Sequence, residues 1–489
     1  MTARVPMSQR VYEHDLALYI DGAWHRGEGR RTLDVVDPAT EDVIGELPVA
    51  TTEDLDAALA SAARGFAKWQ AVAPAERGAI MKRAAALIGE RKDALASALT
   101  LENGKTLPEA AGEIDRTIET IEWCAEEGKR TYGRVLPTGS PGLSHMTLKR
   151  PIGPVAAFSP WNFPAVLMMR KLAPALAAGC SIIVKPAEES PAVCIGLVRA
   201  FVDAGMPPGV INLVFGAPSE ISAHLIASPV IRKISFTGST AVGKILCRLA
   251  ADDLKSVTME LGGHAPVVVF DDVDVERVAA ACARFKFRNA GQVCLAPSRF
   301  FVQNGVYDAF VERFADAAAR IKVGNGMEPG VQMGPLNNRR RLQATLEFID
   351  DARASGGTVR AGGRRIGTRG YFFEPTVVTD VGAGASIMST EPFCPVAPIM
   401  RFDDVDDVAT MANAVEYGLA AYAFTNRIDR ASAITDAFDA GWIGINSFTP
   451  ALPNAPLGGV KHSGIGYEGG PEGLDAYLRT VFVSQERAA

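Results

Sequence analysis

The chain has 489 residues, 48% of them hydrophobic and 22% charged, an ordinary globular composition with material for a large core and two or three domains. A net charge of -6 without any dense Lys/Arg block weighs against a nucleic-acid surface. The seven cysteines are odd in number and never spaced CxxC, which weighs against a zinc site or a disulfide framework and fits reduced thiols in the cytoplasm.

Residues 1 to 20 carry Glu13 and Asp15 and no apolar core of a secretion signal. The segment "LYIDGAWHRGEGRRTLDVVDPATEDVIGELPVA" alternates apolar and polar residues around turn signals and predicts short strands. From Thr52 helical periodicity takes over, through "EDLDAALASAARGFAKWQ", "AERGAIMKRAAALIGERKDALASALTLENG" and "EAAGEIDRTIETIEWCAEEGKRTYG". Residues 134 to 153 predict a hairpin about a Gly/Pro turn. The longest uncharged run, 151 to 169, holds four prolines. In lipid these would leave backbone groups unpaired, so the run reads as buried or cleft-lining chain and not as a membrane span.

Strands and helices then alternate: "GPVAAFSP", a helix near 164 to 178, "CSIIVKP", a helix near 191 to 204, "GVINLVFG", a helix near 219 to 227, "KISFTGST" and another helix. That order implies βαβ units and a parallel sheet. The alternation restarts at "HAPVVVF", with a helix near 274 to 290, the strand "SRFFVQ" and a helix near 306 to 321, which places a boundary near Gly262 and Gly263.

Several short stretches carry chemistry. "KISFTGSTAVGKIL" reads strand, glycine turn, helix, a place where backbone N–H groups and a helix N-terminus can take a pyrophosphate, although it is neither GxGxxG nor a Walker loop. "IIVKPAEESP" sets Lys185 and Glu188 just after an apolar strand, where open α/β sheets bind ligands and a carboxylate can accept ribose hydroxyls. Asn162, in "SPWNFP", is either a turn former or a rigid oxyanion donor. Glu260, in "TMELGGHAP", is either an exposed strand-end acid or, against apolar walls, a carboxylate raised to act as a base. Cys294, in "FRNAGQVCLAPSR", needs a lowered pKa or a positioned base to be a nucleophile. Only His264 and His462 among six histidines sit in glycine-rich contexts, so a Cys-His hydrolase stays open without a local signature. Cys294, Glu260 and Asn162 together suggest acyl chemistry with a carboxylate base and an amide oxyanion donor.

The assembly resembles an NAD(P)-dependent aldehyde dehydrogenase, from about residue 17 to 483. The resemblance rests on eight stretches in family order: "SPWNFP", "KPAEESP", "FTGSTAVG", "MELGGHAP", "NAGQVC", "GNGMEPGVQMGPL", "EPFCPV" and "GINSFTPALPNAPLGGVKHSG". It implies that Cys294 attacks the aldehyde, that Asn162 and the Cys294 N–H hold the oxyanion, and that Glu260 activates water against the thioester. It further implies that Lys185 and Glu188 hold the adenosine ribose, Ser239 beside Gly238 a phosphate, and Glu391 the nicotinamide ribose. Ser159, Trp161 and Phe393 complete the implied cofactor contacts. Lys171 and Glu468 match positions that organise the site or relay protons. Arg170 and Arg288 match the arginines with which the succinate-semialdehyde dehydrogenase branch binds a substrate carboxylate, chemistry that suits guanidinium. The implied substrate is a short carboxylated aldehyde, succinate semialdehyde first, with 2-oxoglutarate semialdehyde or broad aliphatic aldehydes as alternatives.

Some positions depart from the branch. Ala451 and Leu452 stand where a serine touches the carboxylate, Ala296 replaces a redox-switch cysteine, and Cys394 and Leu457 replace glycine and phenylalanine. Glu188 favours NAD, with NADP as the second possibility.

The implied fold is α/β: a Rossmann-like cofactor domain (1–133 and 154–262), an α/β catalytic domain (263–465, its tail returning to the cofactor domain), and a small β oligomerisation arm (134–153 and 466–489). The arm implies a homodimer or homotetramer, since an exposed strand edge seeks a partner. No nucleic acid, membrane or metal is expected. The rival readings are a CoA-acylating enzyme, which Glu260 as water activator opposes, a cysteine esterase, and a non-catalytic binding protein on this fold.

Overall fold

A computed structural model describes residues 16–139, 141–449 and 451–486 of the chain. Glu13, Asp15 and the two outer ends of the implied domains lie outside the described residues. The first sheet has eight strands. Its centre is five parallel strands in the spatial order Ile211–Leu213, Ile182–Lys185, Val155–Phe158, Lys233–Thr237 and Ser256–Glu260. These strands are almost wholly buried because helices cover them, which explains the apolar runs of Val155–Phe158 and Ile182–Lys185. The chain winds outward from Val155–Phe158 in one direction, then returns to its other side at Lys233–Thr237. A crevice therefore opens between those two strands at their carboxyl ends, the usual place for a ligand in such sheets.

The helix Pro164–Ala178 follows the first of these strands and is buried along its whole length. The uncharged run noted in the sequence is thus partly this helix, and its first proline sits at the helix start, where a missing N–H costs nothing. No helix among the described residues is long and apolar enough to cross a membrane.

The second sheet has seven strands, among them Ala265–Val269, Pro297–Gln303 and Val396–Phe402 at its centre. Only four residues, Leu261 to His264, separate its strand Ala265–Val269 from Glu260, the last residue of Ser256–Glu260 in the first sheet. The carboxyl end of one sheet consequently meets the amino end of the other. The expected helix near 274 to 290 is shorter than its pattern: Val275–Lys286 is helical, and the chain then turns sharply because Asn289 and Ala290 adopt left-handed angles (φ 48° and 54°). Apolar periodicity could not reveal that turn. A third sheet joins Arg134–Leu136 and Leu143–Pro151 with the distant strand Leu478–Glu486.

Candidate active site

The loops at the switch point supply part of the predicted site. Ser159, Trp161 and Asn162 follow Val155–Phe158, and Gly238 and Ser239 follow Lys233–Thr237. Lys185 and Glu260 end their own strands. Together with Glu188, Cys294, Glu391 and Phe393 they line one cleft of about 1030 Å³. Ser239 also caps the helix Thr240–Ala251, so the positive helix end opens into the cleft. The glycines here are places of close approach. A Cβ on Gly238 would stand 2.5 Å from the Phe236 ring, one on Gly262 2.7 Å from the Glu391 carboxylate, and one on Gly263 2.6 Å from the Cys294 carbonyl. Glu188 is held ready, paired with Lys185 at 2.5 Å and accepting the Gly216 N–H at 3.2 Å.

Glu260 is buried; the Cys294 thiol faces its carboxylate, and no N–H or O–H donor reaches either oxygen. Burial, then the negative Glu468, pushes its pKa up to about 8, while Lys171 opposes the rise. The Cys294 thiol is pushed well up, first by burial and then by Glu260 and Glu391. Burial raises Glu391 to about 7, against the Gly263 N–H that donates to it at 3.0 Å. Three acidic groups thus share one pocket, and the two carboxylates both discourage ionisation of the thiol. Behind Glu260, Lys171 and Glu468 form a buried ion pair, and Lys171 also donates to Thr237 at 2.6 Å. The second Glu468 oxygen has no partner.

The Asn162 amide donates to the Gln292 carbonyl at 3.2 Å, two residues before Cys294, which leaves its second N–H unused by that bond. Arg170 is buried; one terminal nitrogen donates to the Ala451 carbonyl at 3.0 Å and the other has no partner. Ala451 therefore meets Arg170 through its backbone. Arg288 is placed elsewhere: its guanidinium lies over the Phe163 ring at 5.0 Å and lines a separate recess with Glu109 and Phe285.

Sequence reasoning missed three supports. Lys105 and Glu113 form a buried pair beneath Asn162. Asn289 donates to the Asn162 carbonyl at 3.0 Å. Ser463 donates to the Gly262 carbonyl at 2.7 Å and its own carbonyl accepts from Leu261 at 2.9 Å, so the tail pins the loop after Glu260. Ser463 lies in a quoted stretch, but nothing local shows what it meets. Cys394 is fully buried beside Lys286 and Arg341, so this departure faces the core and not the cleft. Leu457 is likewise a core residue.

A match to the aldehyde dehydrogenase family covers residues 24–483. The chain belongs to the aldehyde dehydrogenase family. Enzymes of this family oxidise aldehydes with NAD(P), and the cleft at the switch point has the form such a cofactor needs. Among its relatives, a 4-(hydroxymethyl)benzenesulfonate dehydrogenase of Comamonas testosteroni is 45% identical over 95% of this chain and 97% of its own. The NADP-named succinate-semialdehyde dehydrogenase of Escherichia coli is 40% identical over 95% of this chain and 96% of its own. The crystal structure of succinate-semialdehyde dehydrogenase from Burkholderia pseudomallei, 40% identical, superposes with a TM-score of 0.95 over 100% of both chains.

Proposed function

We propose that this aldehyde dehydrogenase oxidises a short aldehyde bearing an anionic far end, succinate semialdehyde first, through an acyl-enzyme on Cys294. The observation that carries the reading is the convergence of Cys294, Asn162 and Glu260 on one cleft at the switch point. The Cys294 thiol gives its proton to the Glu260 carboxylate it faces, which passes it out to solvent, and the sulfur adds to the aldehyde carbon while the carbonyl oxygen takes up the negative charge. The free N–H of the Asn162 amide and the Cys294 backbone N–H hold that oxyanion. Bound NAD(P)+ supplies the acceptor for the hydride that must leave the same carbon, converting the adduct to a thioester. Glu260 then takes a proton from water, the hydroxide adds to the thioester carbon, and the Cys294 thiolate departs with the carboxylic acid formed. The Lys171–Glu468 pair passes the proton on from Glu260.

Gly238, Ser239 and the helix they open would hold the pyrophosphate, and Lys185 with Glu188 the adenosine ribose; Ser159, Trp161, Glu391 and Phe393 would flank the nicotinamide half. The preset Glu188 supports NAD over NADP, because its charge repels a 2'-phosphate. Arg170, with a buried unpaired nitrogen, is the group offered to the substrate's anion; Arg288, lining a separate recess, is left out of that role. The sulfonate-named relative supports the same logic, so the anion need not be a carboxylate. The three-stranded arm sheet, with Val135 and Phe482 exposed on it, supports assembly of copies.

A panel of ω-carboxylated, ω-sulfonated and uncharged aldehydes of equal length tests this. Cofactor reduction by the charged members, lost in Cys294→Ala, is the expected result. Arg170→Ala should raise KM for the charged members roughly tenfold or more, the scale of one charged hydrogen bond, with little effect on the uncharged one. Equal losses on both would refute the anion-binding role.

A further inference from the structure

Lys105 sits in the turn between the helices Lys92–Asn103 and Leu107–Glu127, and its side chain is fully buried. An ammonium has three donors and nothing to accept with. One donor goes to Glu113 on the following helix, and a second to the backbone carbonyl of Asn162 at 2.8 Å. The charge also lies 4.0 Å from the centre of the Phe163 ring. Glu113 in turn accepts the N–H groups of Ala165 and Val166, at 2.9 and 3.3 Å, and so caps the helix that starts at Pro164. The hydrogen bonds that the two side chains make beyond the pair thus fall on residues 162 to 166.

The turn itself is clamped from the other side. A Cβ on Gly334 would lie 1.9 Å from the Gly104 carbonyl, and one on Gly326 would lie 2.4 Å from the Lys105 carbonyl. Leu107 donates to the Gly326 carbonyl at 3.0 Å. These glycines belong to "GNGMEPGVQMGPL", a stretch with no residue in the cleft. On the nucleophile side, Glu109 accepts the Asn289 N–H at 2.9 Å, and the Asn289 amide meets the same Asn162 carbonyl.

A buried ion pair contributes little net stability compared with apolar side chains of similar volume. Its contribution here lies in geometry. We infer that Lys105, with Glu113, is a positioning residue that fixes the Asn162 amide against the Cys294 loop. This rests on the reading of Asn162 as the oxyanion donor. Misplacing a donor by about an ångström costs on the order of a hundredfold in rate, comparable with deleting one.

The test is a double-mutant cycle on the full chain. Lys105→Met with Glu113→Gln, made together so that no charge is orphaned, is introduced with and without Asn162→Ala. The first-turnover rate of cofactor reduction, KM, cofactor Kd and Tm are measured. Alone, the pair variant should lower the rate about 10- to 100-fold, with KM and Kd changed less than about threefold. Added to Asn162→Ala, it should cost less than about threefold more. Equal losses in both backgrounds, or losses carried by KM and Kd, overturn the inference. If the pair variant does not fold, Lys105→Arg enters the same cycle under the same criteria. A rate unchanged by Asn162→Ala alone would instead sink the oxyanion reading, and the inference with it.

Discussion

At the scale of single residues, the site is a matter of proton occupancy. Glu260 has its pKa raised to about 8 by burial, so below that pH it holds its proton and cannot take one from water. Its base form fills as pH rises through that value. Hydrolysis of the acyl-enzyme is expected to rise about tenfold per unit on the acid side and level off above the Glu260 pKa, as a pH profile of steady-state turnover will show. Glu260→Gln should flatten that limb and leave a burst of reduced cofactor, one per site, followed by slow turnover. A profile unchanged by the substitution would remove Glu260 from the role of base. The same burial raises the Cys294 thiol; the Arg170 charge works against the rise without overcoming it, unlike the cation of a papain-type pair.

Elements decide where those groups point. The turn before Cys294 runs through Asn289, Ala290 and Gly291 with positive φ, at 48°, 54° and 73°. A Cβ on Gly291 would stand 2.2 Å from the Cys394 carbonyl. Gly291→Ala should therefore displace the nucleophile loop, costing about 1–3 kcal/mol of stability and at least tenfold in kcat. A Tm and kcat equal to wild type would show that the loop tolerates the change. At the end of Ile182–Lys185, Glu188 is set by Lys185 and the Gly216 N–H. Glu188→Gln keeps the shape and removes the charge. The ratio of kcat/KM with NADP to that with NAD should rise roughly tenfold or more, the scale of one lost charge repulsion.

For the whole molecule, the arm is the test of assembly. The strand Leu478–Glu486 pairs with Leu143–Pro151 over nine register positions, and Phe482 is 58% exposed on it. Phe482→Asp should lower the sedimentation coefficient at micromolar concentration while cofactor binding survives. A coefficient equal to wild type would show that the face does not carry the assembly. The same C-terminal chain brings Ser463 to the loop after Glu260 and Glu468 to Lys171, so it also completes the site.

Periodicity was enough to order the parallel strands and their helices, because a strand buried on both faces must be apolar throughout. Some candidate groups stood out for the same reason: Lys185, Gly238 and Glu260 stand where an apolar run stops, while the resemblance to a family, not the run, implied what each of them does. Residues that act across the fold were not. Lys105 and Glu113 look like ordinary charges on helical sequence, and only tertiary structure shows that they are buried beneath Asn162. The left-handed turn at Asn289 and Ala290 breaks a helical pattern without any glycine at those two positions. Arg288, six residues before Cys294, could not be aimed by spacing alone; the fold lays it over Phe163. Local patterning determined which chain segments are interior, since burial demands an apolar side chain wherever it falls. Packing between distant segments decided which polar groups face one another, since hydrogen bonds and ion pairs depend on partners as far apart in sequence as Lys171 and Glu468.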